Sequence, residues 1–259
     1  MLAAKSATTP MNYSSQLSKS IGTRLETNNE YRRLIGCLLY LANTRSEISY
    51  AVDKLSQFLE CLTNKHFEAC LRVLRYLKSS PARGLFFSTK SNLKVIGYSD
   101  SDWAACPDSR RPVTSYCFFL RISLITWKSN KQNVVTTSSA KAEYKALAAS
   151  TCEAQWIRFI MNELKFSPMK PIAIYCDSQT ALHIAANSMF HEKTKYIEAD
   201  CHIICDKAKE QVIKLLPIKF AEQAADILTK ALIPKLFNSC HRKFRLLNIH
   251  VPDLRKGVT

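Results

Sequence analysis

Four acidic residues in this chain stand where a fold could bring their carboxylates together. Asp100 and Asp177 each follow a short apolar segment typical of a strand, at the point where the chain leaves it. Glu143 lies in an Ala-rich segment typical of a helix, and Asp226 lies between apolar residues at the start of another. Because neighbouring strands of a sheet run about 4.8 Å apart, two aspartates at equivalent strand ends would be close together.

Carboxylates that converge in this way suit divalent-metal chemistry. Their repulsion favours protonation unless a cation lies between them. Oxygen-only donor sets select Mg²⁺ or Mn²⁺ over zinc. Two such ions serve phosphodiester hydrolysis, since one activates water and the other stabilises the leaving 3′ oxygen. Each carboxylate alone has an ordinary interpretation as a solvated turn residue or a helix-end charge, so the hypothesis rests on the four together.

The elements that must position these carboxylates follow from hydrophobic periodicity. Strands are predicted over 86–87, 93–98, 115–120, 124–127, 172–176 and 212–216. Helices are predicted over 138–164, 180–186, 196–210 and 224–230. This order predicts an α/β domain built on a sheet with mixed pairing.

The chain is expected to divide into four parts. Residues 1–30 are rich in Ser, Thr and Asn, which predicts an extended arm or linker. Residues 31–84 carry three apolar stripes at three- and four-residue spacing, which indicate a small helical segment. The α/β domain is expected over residues 85–232, and residues 233–259 are expected to form a basic tail.

Charge and cysteine content narrow the class of protein. The 37 Lys and Arg exceed the 21 Asp and Glu and leave a net charge of +16, which favours a polyanionic partner such as nucleic acid. The 10 cysteines form no Cys-X-X-Cys pair, and Cys70, Cys117 and Cys176 interrupt apolar runs. We therefore expect free thiols in a reducing compartment, the cytoplasm or the nucleus. No apolar run approaches the roughly 20 residues that span a bilayer, so no membrane association is expected.

Six ordered blocks of the α/β domain match the pattern of one family. They are 97–104 (GYSDSDWA), 127–132 (WKSNKQ), 138–144 (SSAKAEY), 176–179 (CDSQ), 193–202 (KTKYIEADCH) and 225–230 (ADILTK). Upstream, 31–36 (YRRLIG), 39–45 (LYLANTR) and 72–77 (RVLRYL) continue the match. On these blocks the sequence resembles the C-terminal part of copia-type LTR retrotransposon polyproteins, over about residues 8–248.

The resemblance implies a fold, a site and an activity. The fold would be that of ribonuclease H, a mixed five-stranded sheet with flanking helices, preceded by the helical segment that connects it to reverse transcriptase. Asp100, Glu143, Asp177 and Asp226 would be the catalytic set that holds Mg²⁺ or Mn²⁺, with Asp102 as the competitor for the first position. The activity would be hydrolysis of the RNA strand of RNA/DNA hybrids, with a reverse transcriptase palm domain as partner in the full-length element.

Basic residues beside these blocks are candidates for substrate binding. Lys128, Lys131, Lys193 and Lys195 would grip a nucleic-acid backbone without reading its bases. Some positions depart from the family pattern: Lys141 replaces an acidic residue, and the chain has only 5 glycines. These departures support a second hypothesis, an inactive or co-opted fragment that only binds nucleic acid. A third is a structural protein whose carboxylates are surface groups.

Overall fold

The computed structural model describes residues 3–87, 94–166, 170–186 and 198–248, which contain both helices and strands. The helices are α1 (Asn29–Leu41), α2 (Ser49–Ser56), α3 (Asn64–Lys78), α4 (Ser139–Glu163), α5 (Gln179–Ala186), α6 (Glu198–Lys209) and α7 (Pro234–Phe244). The strands are β1 (Arg83–Gly84), β2 (Val95–Asp102), β3 (Val113–Leu120), β4 (Ser123–Lys131), β5 (Ile172–Cys176), β6 (Ile213–Pro217) and β7 (Leu247–Asn248). Within these ranges no helix is long and apolar enough to span a bilayer.

Five of the strands form a mixed sheet in the order β4-β3-β2-β5-β6. β3 pairs antiparallel with β2 and with β4, while β5 runs parallel to β2 and to β6. This arrangement confirms the predicted α/β fold, the mixed five-stranded sheet of a ribonuclease H-like domain with flanking helices. Because β2 is the central strand, Asp100 lies in the middle of the sheet, near the end at which β2 stops.

Close packing between β2 and β3 requires a glycine. Gly97 pairs with Phe118 of β3, and a Cβ atom on Gly97 would lie 2.4 Å from a carbon of the Phe118 ring. Phe118 is fully buried, so its ring has little free space into which to move. A larger residue at position 97 would therefore displace the strand that carries Asp100.

Helix α4 covers one face of the sheet. Its buried residues Tyr144 and Leu147 pack in one core with Ile174 of β5, to which α5 and α6 also contribute. The Ser138 hydroxyl caps the helix by accepting a hydrogen bond from the Lys141 N–H at 3.3 Å. The long helix predicted over 138–164 is thus present, and it is held directly against β2.

Helices α1, α2, α3 and α7 cover the opposite face. Ile35 of α1 and Val52 of α2 share a second core with Phe119 of β3, Leu124 of β4 and Phe244 of α7. Phe118 and Phe119 are successive residues of β3, so their side chains point to opposite faces of the sheet and lie in different cores. The sheet is therefore buried on both sides, which explains why almost every residue of β3 is buried.

Segments that the sequence places at the periphery contribute to this second core. Met11 and Leu17, from the expected arm, are buried in it. Residues 234–244, within the expected basic tail, form α7, which buries Phe237, Cys240 and Phe244. The four-part division of the chain stays a prediction, but arm, helical segment, sheet and α7 share one core over their described residues.

Two local predictions were wrong. The strand predicted at 86–87 is absent, and the short ladder nearby pairs β1 with β7 instead. Phe86 and Phe87 are both exposed, so their apolar character did not indicate a buried strand. The helix predicted over 224–230 is only a 3₁₀ turn, Ala225–Leu228, which ends as Thr229 and Lys230 donate their N–H groups to the Asp226 carbonyl.

Candidate active site

Asp100 lies at the centre of the candidate site, on β2 and only 2% exposed. Its Oδ2 accepts a hydrogen bond from the Thr229 hydroxyl and lies 4.0 Å from Lys230 Nζ. Both partners follow the 3₁₀ turn Ala225–Leu228 directly. A buried charge is costly unless it is paired and hydrogen-bonded, so these two contacts offset the burial of Asp100.

Asp226 reaches the same place from the 3₁₀ turn itself. Its Oδ1 forms an ion pair with Lys230 Nζ at 2.8 Å. Burial and the Asp100 charge raise the pKa of Asp226 to about 7, against the opposing effect of Lys230. Asp100, Asp226 and the partly exposed Lys230 therefore form one group in which a single cation serves two buried carboxylates.

Asp177 follows β5 directly. β5 runs parallel to β2 with Tyr98 opposite Tyr175, and Asp100 and Asp177 each lie two residues further along their strands. Burial and the Asp100 charge raise the pKa of Asp177, while a hydrogen bond from Gln223 Nε2 to Oδ1 at 3.4 Å opposes that rise. The parallel register therefore sets the two aspartates at neighbouring strand ends.

Glu143, in the second turn of α4, completes the group. Side-chain ligand atoms of Glu143, Cys176 and Asp177 lie within 4.8 Å of one another. Burial, followed by the charges of Asp100 and Asp177, raises the pKa of Glu143 to about 9. Its Oε2 is buried and has no hydrogen-bond partner among the residues that the structure describes. Glu143 is thus the carboxylate with the least compensation.

The other three carboxylates named from the sequence lie around Asp100. The Asp100 charge raises the pKa of Glu143, of Asp177 and of Asp226. Asp102, the competitor for the position of Asp100, is half-buried on the same strand. Its charge acts on Tyr50 of α2, whose pKa is raised first by the burial of Tyr50 and then by Asp102. Asp100, and not Asp102, is therefore the neighbour that the other three carboxylates share.

The donor set fits a hard divalent cation. Glu143, Asp177 and Asp100 offer carboxylate oxygens, the ligands that Mg²⁺ and Mn²⁺ prefer. Burial raises the pKa of the Cys176 thiol, so it stays protonated at neutral pH and does not add a thiolate ligand. Asp226 could complete the set, although Lys230 is its partner in this structure.

Three residues of the site have no assigned role in the sequence analysis: Gln223, Thr229 and Lys230. Thr229 and Lys230 follow Asp226 by three and four positions, a spacing that could have indicated contact with it. Gln223 instead reaches Ser99 and Asp177, which are distant in sequence. No local pattern signals those contacts.

The lysines expected to bind substrate differ in environment. Lys128 is exposed on β4. Lys131 donates to Gln57 Oε1 at 2.8 Å and so ties the end of β4 to the end of α2. Lys193 and Lys195 lie outside the described residues. Lys128 is therefore presented to solvent, whereas Lys131 has an intramolecular role.

Two tryptophans near the site also differ. Trp103 follows β2 and is 44% exposed, and its indole N–H donates to the Thr136 carbonyl at 2.9 Å. Trp127 packs against the second core and donates to the Ser49 hydroxyl at 3.2 Å. Trp127 is a packing residue, whereas Trp103 presents an oriented aromatic surface directly after the strand that carries Asp100.

Curated proteins similar to this chain include retrotransposon polyproteins. The chain is 38% identical over 249 residues to the retrovirus-related Pol polyprotein from transposon RE1 of Arabidopsis thaliana. This match covers 96% of the chain and 17% of the polyprotein. It is also 38% identical over 258 residues to the corresponding polyprotein from transposon RE2 of the same plant. That match covers 100% of this chain and 18% of the polyprotein. The chain therefore spans less than a fifth of the length of these relatives. No family model matches it.

A similar solved structure is that of LC11 ribonuclease H1, isolated from compost by a metagenomic approach. The likeness covers 53% of this chain and 94% of that one, with 16% sequence identity and a TM-score of 0.41. The fold of the chain rests on its own strand order and strand directions.

Proposed function

We propose that this chain, which belongs to the retrovirus-related Pol polyproteins of copia-type retrotransposons, is the ribonuclease H of such an element. The reaction would be hydrolysis of the RNA strand of RNA/DNA hybrids. The observation that carries the proposal is the convergence of four carboxylates at the ends of β2 and β5, around a buried Asp100. Carboxylates grouped at one edge of a sheet suit metal-assisted phosphodiester cleavage.

Mg²⁺ or Mn²⁺ is the proposed cofactor, held by Asp100, Glu143, Asp177 and Asp226. When bound, such ions supply activation of water and neutralise the charge on the leaving 3′ oxygen. Without them, a proton on Glu143, whose pKa is raised to about 9, limits the repulsion within the cluster. Metal binding at neutral pH should therefore release that proton.

An RNA/DNA hybrid is the proposed substrate. A net charge of +16 favours phosphate contacts that do not depend on base sequence, and Lys128 is exposed for such a contact. Ribose 2′ hydroxyls would distinguish the RNA strand. The exposed face of Trp103, held by Thr136, offers a surface on which a base or sugar could stack.

A partner and a cellular compartment are part of the proposal. A reverse transcriptase palm domain is the proposed partner in a full-length element, since the chain spans only 17% and 18% of two relatives. All 10 cysteines are free thiols. We therefore propose a reducing compartment inside the cell, the cytoplasm or the nucleus.

A Mg²⁺ titration of hybrid cleavage tests the proposal. Asp100→Asn and Asp177→Asn should each lower kcat by at least about 100-fold, because even partners of metal ligands cost 10–100-fold when they are lost. Asp108→Asn is the matched control, since Asp108 is exposed and accepts only the Lys19 N–H in the described contacts. Full activity in Asp100→Asn or Asp177→Asn would contradict the assignment.

A second candidate function is nucleic-acid binding without cleavage, as in an inactive or co-opted fragment. The observation that favours it is Lys230, which already supplies a cation to Asp100 and Asp226. Under this hypothesis hybrid affinity falls steeply with salt, as counterion release requires, and Mg²⁺ adds no cleavage. The same titration therefore separates the two functions.

A further inference from the structure

Gln223 is a buried side chain that contacts Asp177 of the carboxylate cluster and the backbone of the residues before Asp100 and Asp226. It lies between the 3₁₀ turns Phe220–Glu222 and Ala225–Leu228 and is 0% exposed. Its Nε2 donates to the Ser99 carbonyl at 2.9 Å and to Asp177 Oδ1 at 3.4 Å. Its Oε1 accepts from the Ala225 N–H at 3.3 Å.

One of these contacts is to a carboxylate, and the other two are to the backbone of residues next to one. Ser99 precedes Asp100 on β2, Asp177 is itself one of the four, and Ala225 precedes Asp226. The contacts therefore join the central strand, the end of β5 and the turn that follows Gln223. Elements far apart in sequence meet at this one side chain.

A carboxamide is suited to this position because it has two N–H donors and an acceptor oxygen. A glutamate of the same size has no donor for Ser99 or Asp177. A leucine fills a similar volume with no polar atom and would leave a buried carbonyl and a half-buried carboxylate without their partner. The three contacts thus call for the chemistry of Gln and not merely for its volume.

We propose that Gln223 is a positioning residue, which holds Asp177 and the turn that carries Asp226 against β2, beside Asp100. The inference rests on the proposed function, because it concerns how the cluster binds Mg²⁺ or Mn²⁺ for cleavage. Gln223 carries no charge, so it orders three carboxylates without neutralising them. In this it differs from Lys230, whose ammonium reduces the charge of Asp100 and Asp226.

Metal affinity in the full-length chain tests this role. Gln223→Leu deletes all three contacts and should weaken Mn²⁺ binding, measured by calorimetry, at least about tenfold, as is typical for partners of metal ligands. Gln223→Asn keeps the carboxamide but is one methylene shorter, so it cannot span the three contacts and should weaken binding as well. It serves as the second variant if Gln223→Leu does not fold.

Gln57→Leu is the matched control. The Gln57 carboxamide contacts the Asp53 carbonyl and Lys131, and none of the four site carboxylates is among its described partners. This variant should bind Mn²⁺ like the wild type. In hybrid cleavage, the Gln223 variants should lower kcat with little change in KM, since misplaced ligands slow the reaction while substrate contacts remain.

The outcomes separate this inference from the proposed function. Unchanged Mn²⁺ affinity in a folded Gln223→Leu or Gln223→Asn overturns the positioning role, whatever the cleavage assay shows, and so does a wild type that binds no Mn²⁺. An equal loss in Gln57→Leu overturns it too, because the effect would then be a general loss of stability. If affinity falls only in the Gln223 variants while no protein cleaves hybrid, the positioning role stands and the ribonuclease activity fails.

Discussion

The carboxylate cluster has two halves, Asp100 with Asp226 and Glu143 with Asp177, and their negative charge is compensated in different ways. Asp100 and Asp226 share Lys230, whose Nζ lies 4.0 and 2.8 Å from their oxygens, and Asp100 also accepts the Thr229 hydroxyl. Glu143 and Asp177 have no ion pair within the described part of the chain.

This difference indicates a division of labour. The half that contains Lys230 is partly compensated by a cation of the protein itself. The half that contains Glu143 must take up either a proton or a cation, because burial and two neighbouring carboxylates raise the pKa of Glu143 to about 9. We therefore expect a metal ion to bind first to the half that contains Glu143.

The largest expected effect is a loss of stability of the metal-free protein as the pH rises. The folded pKa of Glu143 lies above the ordinary value of 4.5, at about 9. Between those values the unfolded chain has lost the proton and the folded chain keeps it, so the free energy of unfolding falls with pH. Asp226, raised to about 7, adds to the slope below pH 7. The slope should approach about 1.4 kcal/mol per pH unit for each proton, measured by urea unfolding at successive pH values.

Two variants show which half of the cluster causes the fall in the free energy of unfolding in each pH range. Glu143→Gln should lower the slope from about pH 4.5 to 9 and leave the curve nearly flat between pH 7 and 9, whereas Asp226→Asn should lower it only below pH 7. Saturating Mg²⁺ should restore stability at pH 8 in the wild type, because the ion takes the place of the proton. If Asp226→Asn removes the slope above pH 7, the contrast between the halves is wrong.

Removing the cation of the compensated half should have the next largest effect. Lys230→Met leaves Asp100 and Asp226 without their shared partner, and the loss of one member of a buried pair costs about 3 kcal/mol. Urea unfolding without metal at pH 8 measures it, with Lys235→Met, an exposed lysine of α7, as control. Equal losses in the two variants would mean that Lys230 does not compensate the cluster.

Most of the fold could be predicted because its apolar residues occur in clear runs. The strand predicted over 172–176 coincides with β5, and the helix predicted over 138–164 extends only one residue beyond α4 at each end. Helix α7 could not be predicted in the same way, because the basic residues at 241–243 resemble a solvated tail. Only the spacing of Phe237, Cys240 and Phe244 indicates its buried face.

The sequence could name the carboxylates but not the groups that neutralise or orient them. A strand end is a local feature, so Asp100 and Asp177 could be identified from their neighbours. The partners of a long side chain depend on which elements pack together. Lys131, predicted to bind phosphate, donates to Gln57 because α2 packs on β4. For the same reason the contacts of Gln223 could not be foreseen.

The smallest expected effect concerns the hydroxyl on the compensated half. Thr229→Val keeps the shape of the side chain but removes the hydrogen bond to Asp100, and a hydrogen bond to a charged group contributes about 1.5 kcal/mol. Thr229→Ser keeps the hydroxyl and should recover most of the lost free energy of unfolding. Because Lys230 still serves Asp100 and Asp226, the steep fall of stability between pH 7 and 9 should persist in Thr229→Val. A flattened curve in that range would show that Thr229 governs the Glu143 half as well, and that the two halves titrate as one unit.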